Sequence, residues 1–273
     1  DLALDEGVLN CALTEIGEEF GACDYIFLCA PVSCNSENLP SLKAFLRPEC
    51  ILTDAGSVKT SIHEQIEAQG LSGQFIGGHP MAGSERTGYV NSRALLLENA
   101  YYILTPTREV PREKVDAYRE LVSSLGAIPL ILSFREHDYV TAAVSHLPHV
   151  IASSLVNLIR DSDSGEGIMK MIAAGGFKDI TRIASSSPAM WQQICLTNGE
   201  NIDALLTAYI ESLQSIQKEI RESASSRIYD FFDRARIYRD SFINASSGPI
   251  KKSYAVSIEI ADEPGALASI ATI

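Results

Sequence analysis

Residues 24–32 read DYIFLCAPV: an acid, an unbroken run of apolar and aromatic side chains, then a proline. A strand wetted on one face alternates apolar and polar residues, whereas a strand covered on both faces reads as a continuous apolar run. The same texture returns at 50–54 (CILTD), 74–77 (QFIG), 100–105 (AYYILT) and 127–133 (AIPLILS). Helical patterns separate them, notably 57–69 and 111–125. The second opens on Pro111 and is followed by Gly126, residues that suit a first helical turn and the position past a helix end. Strands and helices in alternation predict a doubly wound, mostly parallel sheet.

On the C-terminal side the texture changes. Residues 135–243 show no strand pattern and long stretches of 3.6-residue period, at 139–159 and again at 201–220, where Ile202, Leu205, Leu206, Tyr209, Ile210, Leu213, Ile216 and Ile220 form one stripe. Ser187-Pro188 reads as an N-cap followed by proline at the first helical position. An all-helical second domain is expected, with a stripe long enough to pack on a second subunit as well as its own chain. Residues 244–251 begin NASSGP and read as a linker. Beyond it, 252–260 alternates like a half-buried strand and 262–270 (DEPGALASI) turns into a helix start, the opening of a third domain. At the other end, residues 1–7 look like the tail of a helix whose preceding strands lie upstream.

The 273 residues are 46% hydrophobic and 21% charged, with a formal net charge of −13. Such a chain has ample apolar material for two or three cores, and disorder is excluded as its main state. The acidic balance excludes nucleic acid as a partner, since that binding rests on clustered Lys and Arg. No apolar run approaches the roughly 18 residues of a membrane helix. None of the six cysteines forms a CxxC pair, and several sit in apolar runs, so buried free thiols in the reducing cytoplasm are expected. No signal peptide is visible.

Ligands of open parallel α/β sheets bind at the carboxyl ends of the strands. The residues following the first three strands are Ala30-Pro31-Val32-Ser33, 54–60 (DAGSVKT) and 77–85 (GGHPMAGSE), which gathers Ser57, Lys59, His79, Ser84 and Glu85 on one rim. The glycines before His79 let another group approach the backbone, and Pro80 holds His79 extended. A histidine with an ordinary pKa of about 6.5 is a natural base for a hydroxyl proton and contributes about 10²–10⁴ in rate; taken alone, it could equally be a satisfied loop histidine. In 145–149 (SHLPH) two imidazoles three residues apart raise a metal, but no third ligand stands at helical spacing and Pro148 distorts the turn, so no metal is expected. Arg182 in 175–184 (GGFKDITRIA) offers a guanidinium fork suited to a carboxylate, though unaided it reads as a surface ion-pair partner. Trp191, the one tryptophan, would ordinarily be core or interface. No GxGxxG occurs, nor any P-loop, HExxH or GxSxG.

Five segments in this order, DAGSVK, GGHPMAGSE, HDYVTAAVSHLPH, GGFKDITRIA and SPAMW, make the chain resemble the prephenate dehydrogenases of tyrosine biosynthesis over residues 1–243. Residues 252–273 resemble the start of an ACT domain, an amino-acid-binding α+β module. The resemblance implies a partial NAD(P)-binding Rossmann-like domain over 1–134 that lacks its first strands, a helical substrate and dimerisation domain over 135–243, the linker at 244–251, and an ACT fragment over 252–273. The implied reaction is oxidative decarboxylation of prephenate to 4-hydroxyphenylpyruvate, with NAD as cofactor and NADP not separable because the ribose-reading residue lies upstream. His79 would take the ring hydroxyl proton, and Ser57 would bond that hydroxyl and His79 beside the nicotinamide. Arg182 would bind the side-chain carboxylate, with His149 assisting. Glu85 and Asp179 would orient Arg182; Gly175, Gly176 and Trp191 would lie at the pocket entrance, partly from the partner of a homodimer; Ala30, Pro31 and Val32 would line the nicotinamide ribose. Tyrosine would be a regulator. Arogenate dehydrogenase shares the fold, and the histidine at 149 inclines the reading to prephenate. A reading from another class is an inactive amino-acid-sensing regulator.

Overall fold

The computed structural model describes residues 2–30, 32–83 and 88–244. In chain order the first half holds α1 (Leu2–Asp5), β1 (Tyr25–Leu28), α2 (Val32–Lys43), β2 (Ile51–Asp54), α3 (Thr60–Ala68), β3 (Ile76–Pro80), β4 (Tyr101–Pro106), α4 (Arg112–Ser124) and β5 (Ile128–Ile131). Strand β1 pairs parallel with β2, and a parallel bridge from Leu52 to Phe75 carries the order on to β3. The next pairing differs from the expected run of parallel strands: β3 and β4 are antiparallel, with His79 opposite Ile103, and β4 and β5 are again parallel. The cause is the connection. A parallel return needs a crossover element, usually a helix, and the described residues between β3 and β4 form only two short 3₁₀ turns, Tyr89–Asn91 and Ala94–Leu97.

Helices pack on both faces of β2, while Phe27 of β1 and Leu130 and Ile131 of β5 are exposed, so the expected cover on both faces does not extend to the outer strands. Leu39 and Leu42 of α2 and Ile62 and Ile66 of α3 pack with Ile26, Leu52 and Phe75 in one cluster. Tyr118 and Val122 of α4 pack with Ile51, Ile76, Tyr102 and Leu104 in another. Each fully buried aliphatic side chain here contributes about 1.5–3 kcal/mol relative to exposure. Tyr118 is buried because its hydroxyl is satisfied twice, at 3.0 Å from Thr53 Oγ1 and 3.0 Å from Tyr102 Oη.

From Phe134 the described chain is helical: α5 (Phe134–Thr141), a π-helical segment (Ala142–His146), α6 (Leu147–Ser162), α7 (Ile168–Ile172), α8 (Gly175–Thr181), a 3₁₀ turn (Arg182–Ser185), α9 (Pro188–Thr197) and α10 (Gly199–Arg221). Ser133 and Ser187 are N-caps of α5 and α9, accepting from the backbone N–H groups of Glu136 and Met190. Pro148 has no N–H to offer the carbonyl four residues back, and just before it the Leu147 N–H reaches Ala142 O instead, the wider π turn. Residues from Ser223 form a second compact unit containing α11 (Ser225–Asn244). Apart from Asn244, the expected linker at 244–251 and the ACT fragment at 252–273 lie outside the described residues.

Two expectations need correction. Phe134–Ser162 is one helical path of 29 residues, long and apolar enough by length and composition to cross a membrane. A lone helix of that kind is also what a protein core provides, and its first half carries buried His137, Asp138, Thr141 and His146. The cysteines are all free, but only Cys50 is buried: Cys11, Cys29 and Cys34 are exposed and Cys23 and Cys195 half-buried. Cys29 lies one residue beyond the end of β1, where the strand leaves its cover.

Candidate active site

Three consecutive residues of β3, Gly77, Gly78 and His79, are threaded between other backbone and side-chain atoms. A Cβ on Gly77 would come 2.3 Å from Thr105 Oγ1, and one on Gly78 2.5 Å from the Asp54 carbonyl oxygen. Only glycine fits, and the strand can therefore lie flush against the end of β2. His79 itself belongs to the strand rather than to the loop after it, and it is 8% exposed.

Asp54, the last residue of β2, ties the neighbouring turn to β3. Its Oδ1 accepts from the Gly78 N–H at 3.1 Å and its Oδ2 from the Gly56 N–H at 3.0 Å. Oδ2 also accepts from Lys59 Nζ, in an ion pair buried at both ends. Burial lowers the Lys59 pKa, against the opposing pull of Asp54. Gly56 and Lys59 flank Ser57, so the pair fixes the turn that carries it.

The helical region closes onto this edge through Asp138 of α5. Its carboxylate accepts from the backbone N–H groups of Lys59 (2.7 Å) and Thr60 (2.8 Å), capping α3 from another element. His137 Nδ1 lies 2.8 Å from the same Oδ1, and His137 Nε2 lies 2.7 Å from His79 Nδ1. Burial would push the Asp138 carboxyl up, but the bonds from His137, Thr60 and Lys59 outweigh it and hold the group below its ordinary value. Asn198, preceding α10, donates to the Asp138 carbonyl oxygen at 2.8 Å and sits 3.1 Å from His146 Nδ1.

Burial is the main cause of the lowered pKa of two of these imidazoles, His79 and His146. It takes the His79 pKa well below 6.5, helped by the neighbouring His137, Lys59 and His146 and opposed by Asp138. His146 falls to about 4 by burial, against Asp138. His146 feels His149, and His149, lowered mainly by burial, feels Arg182. Charge influence thus acts pairwise, from His146 on His79, from His149 on His146 and from Arg182 on His149.

His149 lies flat on Trp191, with ring centroids 3.7 Å apart, and its Nδ1 is 2.9 Å from the Ser145 carbonyl oxygen. Both rings line a cavity of about 460 Å³ with Ser153, Ser154, Asn157 and Gln192. The Trp191 Nε1 is buried and makes no hydrogen bond among the described residues. Arg182, Asp179, Gly175 and Gly176 are exposed, and no atom blocks a side chain at either glycine. Among the described residues no group of three or more His, Cys, Asp or Glu is placed to hold a metal ion.

Ser57 is half-buried in the β2–α3 turn. Contrary to expectation, His79 Nδ1 is engaged by His137, and among the described residues no bond joins Ser57 to His79. Ala30 is exposed just beyond β1, where the buried Asn35 amide donates to its carbonyl oxygen at 2.8 Å and to that of Leu28 at 3.3 Å. Pro31 and Glu85, and the side chain of Val32, lie outside the described residues. Sequence reasoning missed His137 and Asp138 as site residues. Their one local signal is an adjacent imidazole and carboxylate, His137-Asp138, opening the segment HDYVTAAVSHLPH.

Residues 1–129 match the family model for the prephenate dehydrogenase nucleotide-binding domain, and residues 133–234 the model for the prephenate dehydrogenase dimerization domain. The chain is 37% identical over 226 residues to prephenate dehydrogenase of Bacillus subtilis, covering 82% of this chain and 61% of that protein. It therefore spans about three-fifths of that relative's length. The crystal structure of prephenate dehydrogenase from A. aeolicus in complex with hydroxyphenyl propionate and NAD+ superposes with a TM-score of 0.82 at 32% identity, over 88% of this chain and 84% of that one. Synechocystis arogenate dehydrogenase superposes with a TM-score of 0.79 at 27% identity, over 88% and 86%.

Proposed function

This chain belongs to the prephenate dehydrogenase family, and from that premise we propose that it supplies the catalytic base and substrate clamp for the NAD-dependent oxidative decarboxylation of prephenate to 4-hydroxyphenylpyruvate. The observation that carries the reading is a buried His79 on β3, its Nδ1 2.7 Å from His137 Nε2 and its pKa held well below 6.5 by burial. A base and a carboxylate receptor facing one substrate are what the reaction needs.

His79 accepts the proton of the ring hydroxyl as the carbinol carbon becomes a ketone. A nicotinamide at the ends of β1 and β2, near Ala30, Pro31, Val32 and Ser57, would supply the hydride acceptor. The ring carboxylate then leaves as carbon dioxide, its bonding electrons complete the aromatic ring, and the resulting phenolate oxygen takes a proton back from His79. Ser57 orients the hydroxyl, a role supported by its rigid turn. Arg182 holds the pyruvyl carboxylate and His149 assists it; Asp179 and Glu85 orient the guanidinium. Trp191 walls the pocket, where its unpaired N–H awaits an acceptor, and Gly175 and Gly176 leave the approach open.

A homodimer through the helical region is supported by the dimerization-domain match and by exposed Leu158, Met171, Ile172 and Ile180. A cytoplasmic location is supported by six free thiols. Regulation by tyrosine is proposed on the resemblance of residues 252–273 alone. Side-by-side turnover of prephenate and arogenate with NAD+ tests the reading: faster use of prephenate is expected, and a preference for arogenate overturns the substrate assignment.

A further inference from the structure

His79 is not an isolated base. We propose that His137 and Asp138 are positioning residues that lock His79 into the tautomer with a proton on Nδ1 and a free lone pair on Nε2. The inference rests on the reading of His79 as the base and goes further, by assigning what makes its outer nitrogen basic.

Hydrogen-bond polarity runs one way through the chain. Asp138 Oδ1 can only accept, and it accepts from the Lys59 N–H and from His137 Nδ1. In the proposed arrangement His137 carries one proton, on Nδ1, and its bare Nε2 accepts from His79 Nδ1, 2.7 Å away. A neutral His79 with its proton on Nδ1 has none on Nε2. Each ring is fixed by the group behind it, as a carboxylate orients a histidine in other catalytic arrays. The carboxylate is itself held, because the N–H groups of Lys59 and Thr60 at the start of α3 leave it no freedom to turn. All three side chains are buried, so water does not compete for these bonds. The charged and titratable groups acting on His79 are His137, Lys59, His146 and Asp138, and Asp138 alone carries negative charge. It therefore also favours the cation that His79 becomes after taking the proton.

The direct test is spectroscopic and needs no turnover. In the full chain labelled with ¹⁵N-histidine, the His79 nitrogens should show the Nδ1–H tautomer at neutral pH. A predominant Nε2–H form would overturn the proposal, even if prephenate is turned over. Conversely, an Nδ1–H form in a chain that does not turn over prephenate would sustain it while defeating the functional reading. The kinetic test compares two variants. His137→Phe removes the acceptor and should lower kcat by about 10²–10⁴ with KM for prephenate within twofold. His137→Gln can donate to Asp138 through its amide nitrogen and accept from His79 through its oxygen, and should recover kcat to within about tenfold of the parent. Equal kcat for His137→Phe and the parent, or equal losses in both variants, would contradict the proposal. If His137→Phe does not fold, the tautomer in the parent protein still decides the matter.

Discussion

Trp191 shields one face of His149, the two rings lying 3.7 Å apart between centroids with planes 25° from parallel. Burial is the main cause of the lowered His149 pKa, and the charge of Arg182 adds to it. Trp191→Ala should uncover the imidazole, and its pKa should climb, since burial is relieved while the bond to the Ser145 carbonyl oxygen, which favours the charged ring, remains. An NMR titration of the histidine ring protons checks this; an unmoved His149 would mean that Trp191 is not its cover.

Arg182 acts on the cavity-lining His149, and it is solvent-exposed. Its hydrogen bonds to a carboxylate are therefore made against competition from water, and losing one to a charged group costs about 1.5–3 kcal/mol. Arg182→Ala should raise the dissociation constant for prephenate about ten- to a hundredfold, read by calorimetry. Wild-type affinity in that variant would remove Arg182 from the substrate site.

Gly78 packs against the Asp54 carbonyl oxygen and the Tyr102 ring, where an added Cβ would sit 2.5 Å and 3.0 Å away. The backbone oxygen cannot yield without moving β2. Gly78→Ala should cost about 1–3 kcal/mol of stability, as overpacking does, and should lower kcat by displacing the adjacent His79. Thermal unfolding and steady-state rates read both. A variant with unchanged Tm and kcat would show that the two strands can separate freely here.

The buried imidazoles make the fold sensitive to acid. His63, stacked on Phe134 and bonded to Thr105, and His146 both fall to about 4, mainly by burial. Unfolded, each titrates near 6.5. Between those values the unfolded chain binds protons that the folded chain refuses, so stability is full above about pH 6.5 and declines as pH falls toward 4. Two such groups give a slope of up to about 3 kcal/mol per pH unit. Urea unfolding at pH 7 and pH 5 should show the loss, and equal midpoints would mean that neither ring is held neutral.

Much of this was legible in the sequence, for definite reasons. Unbroken apolar runs located β1, β2 and β4, although β1 leaves Phe27 exposed rather than covered on both faces, and Pro111 and the left-handed Gly126 (φ +80°) located α4. Adjacent glycines before His79 announced a close backbone approach, and the Cβ distances bear that out. The reversal between β3 and β4 was hidden, because an apolar run carries no direction. His137 and Asp138 were hidden by distance along the chain: they meet His79 and Lys59 from 58 and 79 residues away. The cysteines were misjudged because apolar neighbours in sequence do not ensure cover at a strand's end.

One substitution bears on the central claim more directly than any other. His79→Asn keeps a polar side chain on β3 but cannot take a proton, and the substrate clamp at Arg182 and His149 is untouched. Prephenate binding by calorimetry should persist, while formation of NADH and 4-hydroxyphenylpyruvate, one for one in the parent, should fall to background. A His79→Asn protein that turns over prephenate at the parent rate would contradict the account.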